Sequence, residues 1–306
     1  MHAQSLSARL RRSPILIAPG VYDALTALIA ERAGFEALYV SGAGIAYTRL
    51  GRPDIGLVGM SEVMQTVTLI RDRVGVPLIV DADTGYGNAL NVQRTVRLLE
   101  RAGASAVQIE DQDFPKRCGH LDDKALVPAD EMAGKIKAAV DARVSSDTLI
   151  IARTDAVAVE GFERALARAE TYREAGADVL FVEAPRLQDD LGRITQRLGK
   201  DASKNAAKPV PLMVNMVEGG KTPMLPAEEL ERLGFALVIF PGAIVRALAK
   251  AAEDFYVSLK AHSSTDPFRA RMFDFDALNG LIGTPEMLER GRSYAGSESG
   301  RSSQRR

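Results

Sequence analysis

The chain has 306 residues, 46% hydrophobic and 26% charged, with 39 Lys and Arg against 40 Asp and Glu. That balance excludes the strongly basic surface of a nucleic-acid or membrane-surface binder. One cysteine excludes an intramolecular disulfide framework and agrees with a reducing compartment. No apolar run reaches membrane-spanning length, and Met1 to Leu6 lacks the apolar stretch of a secretory signal. A cytoplasmic protein is expected.

Apolar runs that read as strands occur at Ile15 to Ala18, Ala37 to Ser41, Leu78 to Asp81 and Ala106 to Glu110. Four more follow at Leu149 to Ala152, Val179 to Glu183, Leu212 to Asn215 and Leu237 to Phe240. Amphipathic segments lie between them, among them Asn91 to Ala102, Asp130 to Arg143, Phe162 to Ala175 and Glu228 to Leu233. Gly34, Gly103, Gly176 and Gly234 each stand between a helical segment and the next strand, as repeated left-handed helix ends would. Eight such units predict an α/β fold, a (β/α)8 barrel of the TIM type spanning residues 1–261. A doubly wound sheet is the alternative, but it uses fewer parallel strands. Gly242 to Ala261 reads as a long helix, and helical pieces continue through 262–295 after the polar break His262 to Pro267. These surplus pieces must pack on the barrel or on a neighbouring subunit. Residues 296–306 are Ser, Gly, Arg and Gln with almost nothing apolar, and are expected to be disordered.

In such a barrel, chemistry sits at the C-terminal ends of the strands. Polar residues collect there: Ser41-Gly42-Ala43-Gly44 after the second strand, a small-residue loop that can offer backbone N–H groups to an anionic oxygen. Asp81-Ala82-Asp83 follows the third, Glu110-Asp111 the fourth, Arg153-Thr154-Asp155 the fifth, Glu183 the sixth and Asn215 the seventh. Strand alternation points Asp81 and Asp83 the same way. Carboxylates gathered on one rim repel unless a cation lies among them, and hard oxygen donors favour Mg²⁺ or Mn²⁺. Some of these acids, Asp111 and Asp155 first, have the simpler role of capping helices or pairing with Arg153 and Lys116. In Lys116-Arg117-Cys118-Gly119-His120, a thiol beside two cations and an imidazole has reason to ionise or to pass a proton. Phe114 to Leu126, a long polar loop, is the natural lid over the rim.

Taken in order, these motifs resemble the isocitrate lyase/phosphoenolpyruvate mutase superfamily from about Pro19 to Tyr294. The likeness rests on Val40-Ser41-Gly42, Asp81 to Gly87, Ile109 to Gln112, Lys116 to His120, Ala152 to Ala156 and Asn215 to Gly220. It implies Mg²⁺ at Asp83, supported by Asp54, Asp81 and Glu110 directly or through water, with Mn²⁺ able to substitute. Tyr39, Ser41, Gly42 and Ala43 match the segment holding the α-keto-acid half of the ligand. Arg153, Glu183 and Asn215 match further positions around it, and Arg246 and Arg271 fall where methylisocitrate lyases meet distal carboxylates. The superfamily exchanges its last barrel helix between subunits, so a helix-swapped homotetramer is implied.

The Lys-Arg-Cys-Gly-His form resembles the carbon–carbon lyases of the superfamily rather than its phosphonomutases. It implies retro-aldol cleavage of a 2-hydroxy di- or tricarboxylate to pyruvate and a second acid. Cys118 is then the proton donor, Arg153, His120 and Glu183 fix the departing carboxylate, and Tyr39 or a metal-bound water is the base. Lys116 and Gly119 bring the lid to the substrate. Asn215 to Pro223, Phe273 to Asn279 and Ala43 depart from the methylisocitrate lyase pattern. They look more like the 2,3-dimethylmalate lyase and oxaloacetate hydrolase side. An oxaloacetate hydrolase or decarboxylase is therefore the rival reading; a non-catalytic barrel is the remaining one, and it would not need these acids or Cys118.

Overall fold

A computed structural model describes residues 5–199 and 210–295. Contacts divide the chain into two compact units, Met1–Ala247 and Leu248–Arg306. The boundary falls inside the long helix Ala243–His262, not after it.

The first unit is a closed barrel of eight parallel strands in sequence order. They are β1 (Leu16–Val21), β2 (Leu38–Val40), β3 (Leu78–Asp81), β4 (Ala106–Glu110), β5 (Leu149–Thr154), β6 (Val179–Val182), β7 (Leu212–Asn215) and β8 (Leu237–Phe240). Each is followed by a helix, and β1 closes the ring on β8 through Leu16↔Leu237 to Pro19↔Phe240. The predicted barrel is therefore the observed one. The junction glycines behave as expected, with φ from 93° at Gly34 to 108° at Gly234, where an L side chain would be strained. β1 runs past its predicted end through Pro19 and Gly20. A Cβ on Gly20 would stand 2.2 Å from the Pro241 carbonyl oxygen, so the glycine permits a close backbone approach.

Strand alternation sorts the core into two layers. Val40, Val80, Val107, Ile150, Leu180 and Val238 face the surrounding helices. Tyr39, Ile79, Ala106, Ile151, Phe181, Met213 and Ile239 fill the interior, joined by Leu6 and Leu10 from the N-terminal segment. Because the strands are buried on both faces, they read as continuous apolar runs. Continuing the inward positions by two residues lands on Ser41, Asp81, Gln108, Arg153, Glu183 and Asn215. The packed interior thus becomes a polar rim without any change of register.

The second unit continues the long helix and adds a 3-10 turn, Asp266–Arg271, and the helices Phe275–Ile282 and Thr284–Tyr294. Neither of those two helices has a buried residue, and Phe273, Phe275, Met287, Leu288 and Tyr294 are exposed. The expected disordered tail, 296–306, lies outside the described residues. No helix among the described residues is long and apolar enough to cross a membrane.

Candidate active site

The rim encloses a cavity of ≈ 50 Å³. Of the expected site residues, Tyr39, Ser41, Ala43, Asp54, Asp81, Lys116, Cys118, Gly119, His120, Arg153, Glu183, Asn215 and Arg246 all line it.

Asp83 and Glu110 sit just behind the lining, nearly fully buried. Lys116 supplies the positive charge among the acids: its Nζ lies 2.7 Å from Asp83 Oδ1 and donates to Asp54 Oδ1. Burial pushes the Asp83 carboxyl up to about 7, Asp81 and Asp54 add to the rise, and Lys116 opposes it. Burial likewise raises Glu110 well above the carboxylate range against the pull of Arg153. Burial works against the Lys116 charge, but Asp83, Asp54, Glu110 and Asp81 outweigh it and lift that pKa. Asp83 is not held by strand alternation, since β3 ends at Asp81. Its φ of 46° turns the chain, and its N–H donates to Asp81 Oδ1 at 3.2 Å.

The donor set suits a hard divalent cation. Glu110 Oε1 is buried without a hydrogen-bond partner among the described residues. A Cβ on Gly42 would press on Asp81 Oδ2 at 3.3 Å and Asp83 Oδ1 at 3.5 Å, so the missing side chain leaves room before both carboxylates. Among the described residues, no three His, Cys, Asp or Glu side chains already converge on one point.

The loop between β4 and the next helix covers the rim and is pinned at both ends. Gln112 bridges to Leu126, and the Gln112 amide exchanges 2.8 Å hydrogen bonds with the Arg117 backbone. Further along, Cys118 N–H donates to the Asp54 carbonyl at 3.2 Å, and buried Lys124 donates to the Gly119 carbonyl and, at 2.9 Å, to Asp155. His120 Nδ1 accepts from Lys221 N–H at 2.9 Å, which leaves the proton on Nε2, 3.4 Å from Glu183. Burial lowers the His120 pKa, so the ring is neutral at pH 7.

Neither neighbouring cation serves the thiol as the sequence suggested. Lys116 is committed to the acids, and Arg117 turns to Asp122 and Asp123. Burial pushes the Cys118 thiol up, so it keeps its proton. That state suits a proton donor rather than a nucleophile.

Arg153 anchors the opposite charges: its Nε is 2.8 Å from Asp155 and 3.2 Å from Glu110, and its Nη1 is 3.5 Å from Glu183. Asn215 Nδ2 donates to Glu183 at 3.1 Å. Asp155 does pair with Arg153, but its second cation is Lys124, not Lys116. Asp111 instead accepts from Thr154, Tyr172 and the Asp155 N–H, with Arg168 3.4 Å away. It braces the end of β5.

Tyr39 donates to Gln108 at 3.0 Å, and Gln108 donates on to Asp81 at 3.2 Å. Burial, then Asp81, raise the phenol well above its ordinary value. In this arrangement its hydroxyl serves as the donor to Gln108. Ser41 to Gly44 is not an open loop. Ser41 Oγ caps the turn Gly42–Ile45, which runs into a π-turn, Ala46–Leu50. Arg246 Nη1 lies 3.1 Å from Glu218. Arg271 belongs to the second unit, where it pairs with Asp254 at 3.2 Å and lies over Phe268.

Sequence reasoning missed Gln108, Lys124 and Tyr47. Gln108 had a signal, a polar side chain two residues before Glu110 in an apolar strand. Lys124 had none, because its charged partner, Asp155, is 31 residues away in the chain.

A barrel whose strand ends present buried acids, a clamped arginine and a thiol-bearing loop is that of an enzyme. Residues 6–260 match the phosphoenolpyruvate phosphomutase family model, and the chain belongs to that family, within the phosphoenolpyruvate mutase/isocitrate lyase superfamily. It is 42% identical over 293 residues to 2,3-dimethylmalate lyase of Eubacterium barkeri, covering 96% of this chain and 98% of that one. It is 50% identical over 244 residues to 2-methylisocitrate lyase of Aeropyrum pernix, covering 80% and 75%. Among solved structures, a 2,3-dimethylmalate lyase superposes with TM-score 0.88 at 36% identity over 97% of each chain. An oxaloacetate acetylhydrolase with bound 3,3-difluorooxalacetate gives TM-score 0.85 at 34% identity over 95% and 96%. A phosphonopyruvate hydrolase complexed with oxalate and Mg²⁺ gives 0.83 at 30% over 95% and 98%.

Proposed function

We propose that this chain is a Mg²⁺-dependent carbon–carbon lyase that cleaves a 2-hydroxy di- or tricarboxylate, of the 2,3-dimethylmalate or 2-methylisocitrate type, to pyruvate and a second acid. The observation that carries the reading is Cys118: a half-buried thiol that keeps its proton lines the same cavity as Asp54, Asp81 and Arg153. Retro-aldol cleavage leaves a carboxylate-stabilised carbanion, which needs a proton and a positive field. Cys118 is suited to deliver the first and Arg153 the second. The neutral His120, Glu183 and Asn215 orient that end of the site. The seated loop excludes water that would otherwise quench the carbanion.

Mg²⁺, with Mn²⁺ as substitute, would be held by Asp83 with Asp81, Glu110 and Asp54. When bound it would polarise the hydroxyl and carboxylate oxygens of the substrate. The exposed apolar residues of the helices Phe275–Ile282 and Thr284–Tyr294 support a homotetramer in which this extension packs on a neighbouring copy. The single thiol supports a cytoplasmic setting.

Oxaloacetate hydrolysis or decarboxylation is the second reading, supported by the likeness to the acetylhydrolase. An endpoint product assay with Mg²⁺ over 2-methylisocitrate, 2,3-dimethylmalate, isocitrate, citramalate and oxaloacetate separates them. Pyruvate with a matching second acid is expected, and Cys118→Ser should lower kcat by about 100-fold or more, the usual worth of a positioned proton donor. Turnover of oxaloacetate alone would move the chain to the second reading.

A further inference from the structure

Cys118 and Arg153 serve the same end of the site, and one residue outside the cavity lining holds a neighbour of each. That residue is Lys124, on the lid. Its ammonium is nearly fully buried, donates to the Gly119 carbonyl and lies 2.9 Å from Asp155 Oδ1. Gly119 adjoins Cys118 and packs so closely on Arg153 that a Cβ there would stand 2.5 Å from Nη2. Asp155 in turn accepts from Arg153 Nε at 2.8 Å and from Nη2 at 3.0 Å. Lys124 and Arg153 Nη2 therefore share one oxygen, Asp155 Oδ1.

An apolar or neutral hydrogen-bonding side chain would tether the loop without stripping water from an ammonium. What the ammonium adds is charge. Arg153 alone faces three carboxylates, those of Asp155, Glu110 and Glu183, all within 3.5 Å. Seating of the lid brings a second cation to the nearest of them. We infer that Lys124 is a positioning residue for the reaction: its charge offsets Asp155 and leaves the field of Arg153 for the departing carboxylate. The inference deepens the lyase reading and rests on it. With little water to screen it, one buried charge at this range is felt across the whole cluster. The proton donor and the field that stabilises the carbanion then arrive together, on one loop. With the lid unseated, Asp155 neutralises Arg153 and Cys118 is absent, so cleavage is favoured only in the closed site.

The test follows kcat, with Mg²⁺, on whichever of 2,3-dimethylmalate and 2-methylisocitrate the full chain cleaves. It compares wild type, Lys124→Met and the double variant Lys124→Met/Asp155→Asn, with a melting curve for each. Methionine keeps the length and packing of the lysine, and asparagine keeps an acceptor oxygen for Arg153. Lys124→Met should lower kcat about 30-fold, less than the loss of a group that touches the transition state. The double variant, which removes both charges, should recover about fivefold of that loss. A residue that only tethers the loop predicts no recovery, because neutralising Asp155 restores no tether. A kcat for Lys124→Met within about threefold of wild type, or a double variant no faster than the single one, overturns the inference and leaves the lyase reading standing. Should Lys124→Met alone not fold, the double variant, which buries no unpaired charge, is compared with wild type directly. A kcat within about tenfold then supports the inference and a lower one overturns it. Failure of the wild-type chain to cleave either acid, with oxaloacetate turned over, overturns both readings.

Discussion

Gly119 shows how one absent side chain sets the active site. A Cβ there would lie 2.5 Å from Arg153 Nη2 and 2.5 Å from Glu183 Cγ, and both of those side chains are buried and fixed by ion pairs. Gly119→Ala is therefore expected to hold Cys118 off its seat and lower kcat by about 100-fold, the usual cost of a 1 Å misplacement. Thermal unfolding should change little, because the loss falls on loop seating rather than on the core. Steady-state kinetics beside a melting curve check this, and near-normal kcat would refute it. The sequence marked Gly119 as a lid residue on the substrate side, beside the thiol. Its contacts come from β5 and from just past β6, more than thirty residues away, which no local pattern reveals.

At the scale of the element, the loop from Gln112 to Leu126 is held by few contacts, and His120 is one that titrates. Its neutral Nδ1 accepts from Lys221 N–H, and burial lowers its pKa below the ordinary 6.5. A group whose pKa is depressed in the seated state favours that state fully above its free value and loses that contribution as pH falls through the lowered one. Backbone hydrogen-exchange protection of residues 113–126 is thus expected to be constant above pH 7 and to decline as pH drops below 6.5. In His120→Asn, whose amide oxygen can still accept from Lys221, that decline should shrink, the remainder falling to Asp83, which titrates near 7 against Lys116 of the same loop. A decline of equal size in the variant would assign the effect to another group. The long polar loop was legible in the sequence as a lid, but its docking partners were not.

The whole molecule carries a related acid dependence, rooted deeper in the barrel. Burial opposes the charge of Asp155, but Arg153 and Lys124 outweigh it and hold the carboxyl down to about 2. This carboxylate therefore stabilises the fold fully above its unfolded pKa near 3.8, and the benefit is lost as pH falls from there towards 2. That loss is on the order of 2 kcal/mol for a shift of this size. Denaturant unfolding between pH 5 and pH 2 should show it as a steep acid limb, shallower in Asp155→Asn. The variant should also be less stable at pH 7, because it leaves Lys124 buried with half its pairing gone.

The sequence by itself determined the barrel, because eight apolar runs with αβ glycines have one economical closure, and inward alternation then dictates which residues reach the rim. It also determined the kinds of chemistry there: acids, an arginine, a thiol on a loop. What only the tertiary structure decided was the state and pairing of those groups. Cys118 stays protonated because burial raises its pKa while the cations beside it in sequence turn to Asp54, Asp83, Asp122 and Asp123. Tyr39 is a donor because Gln108 and Asp81 face it across the barrel, and Arg246 is engaged because Glu218 folds back onto it. Periodicity is a local property of the chain, so sequence carries it. Protonation and ion pairing depend on burial and on neighbours brought together by closure of the barrel, and no run of residues encodes those alone.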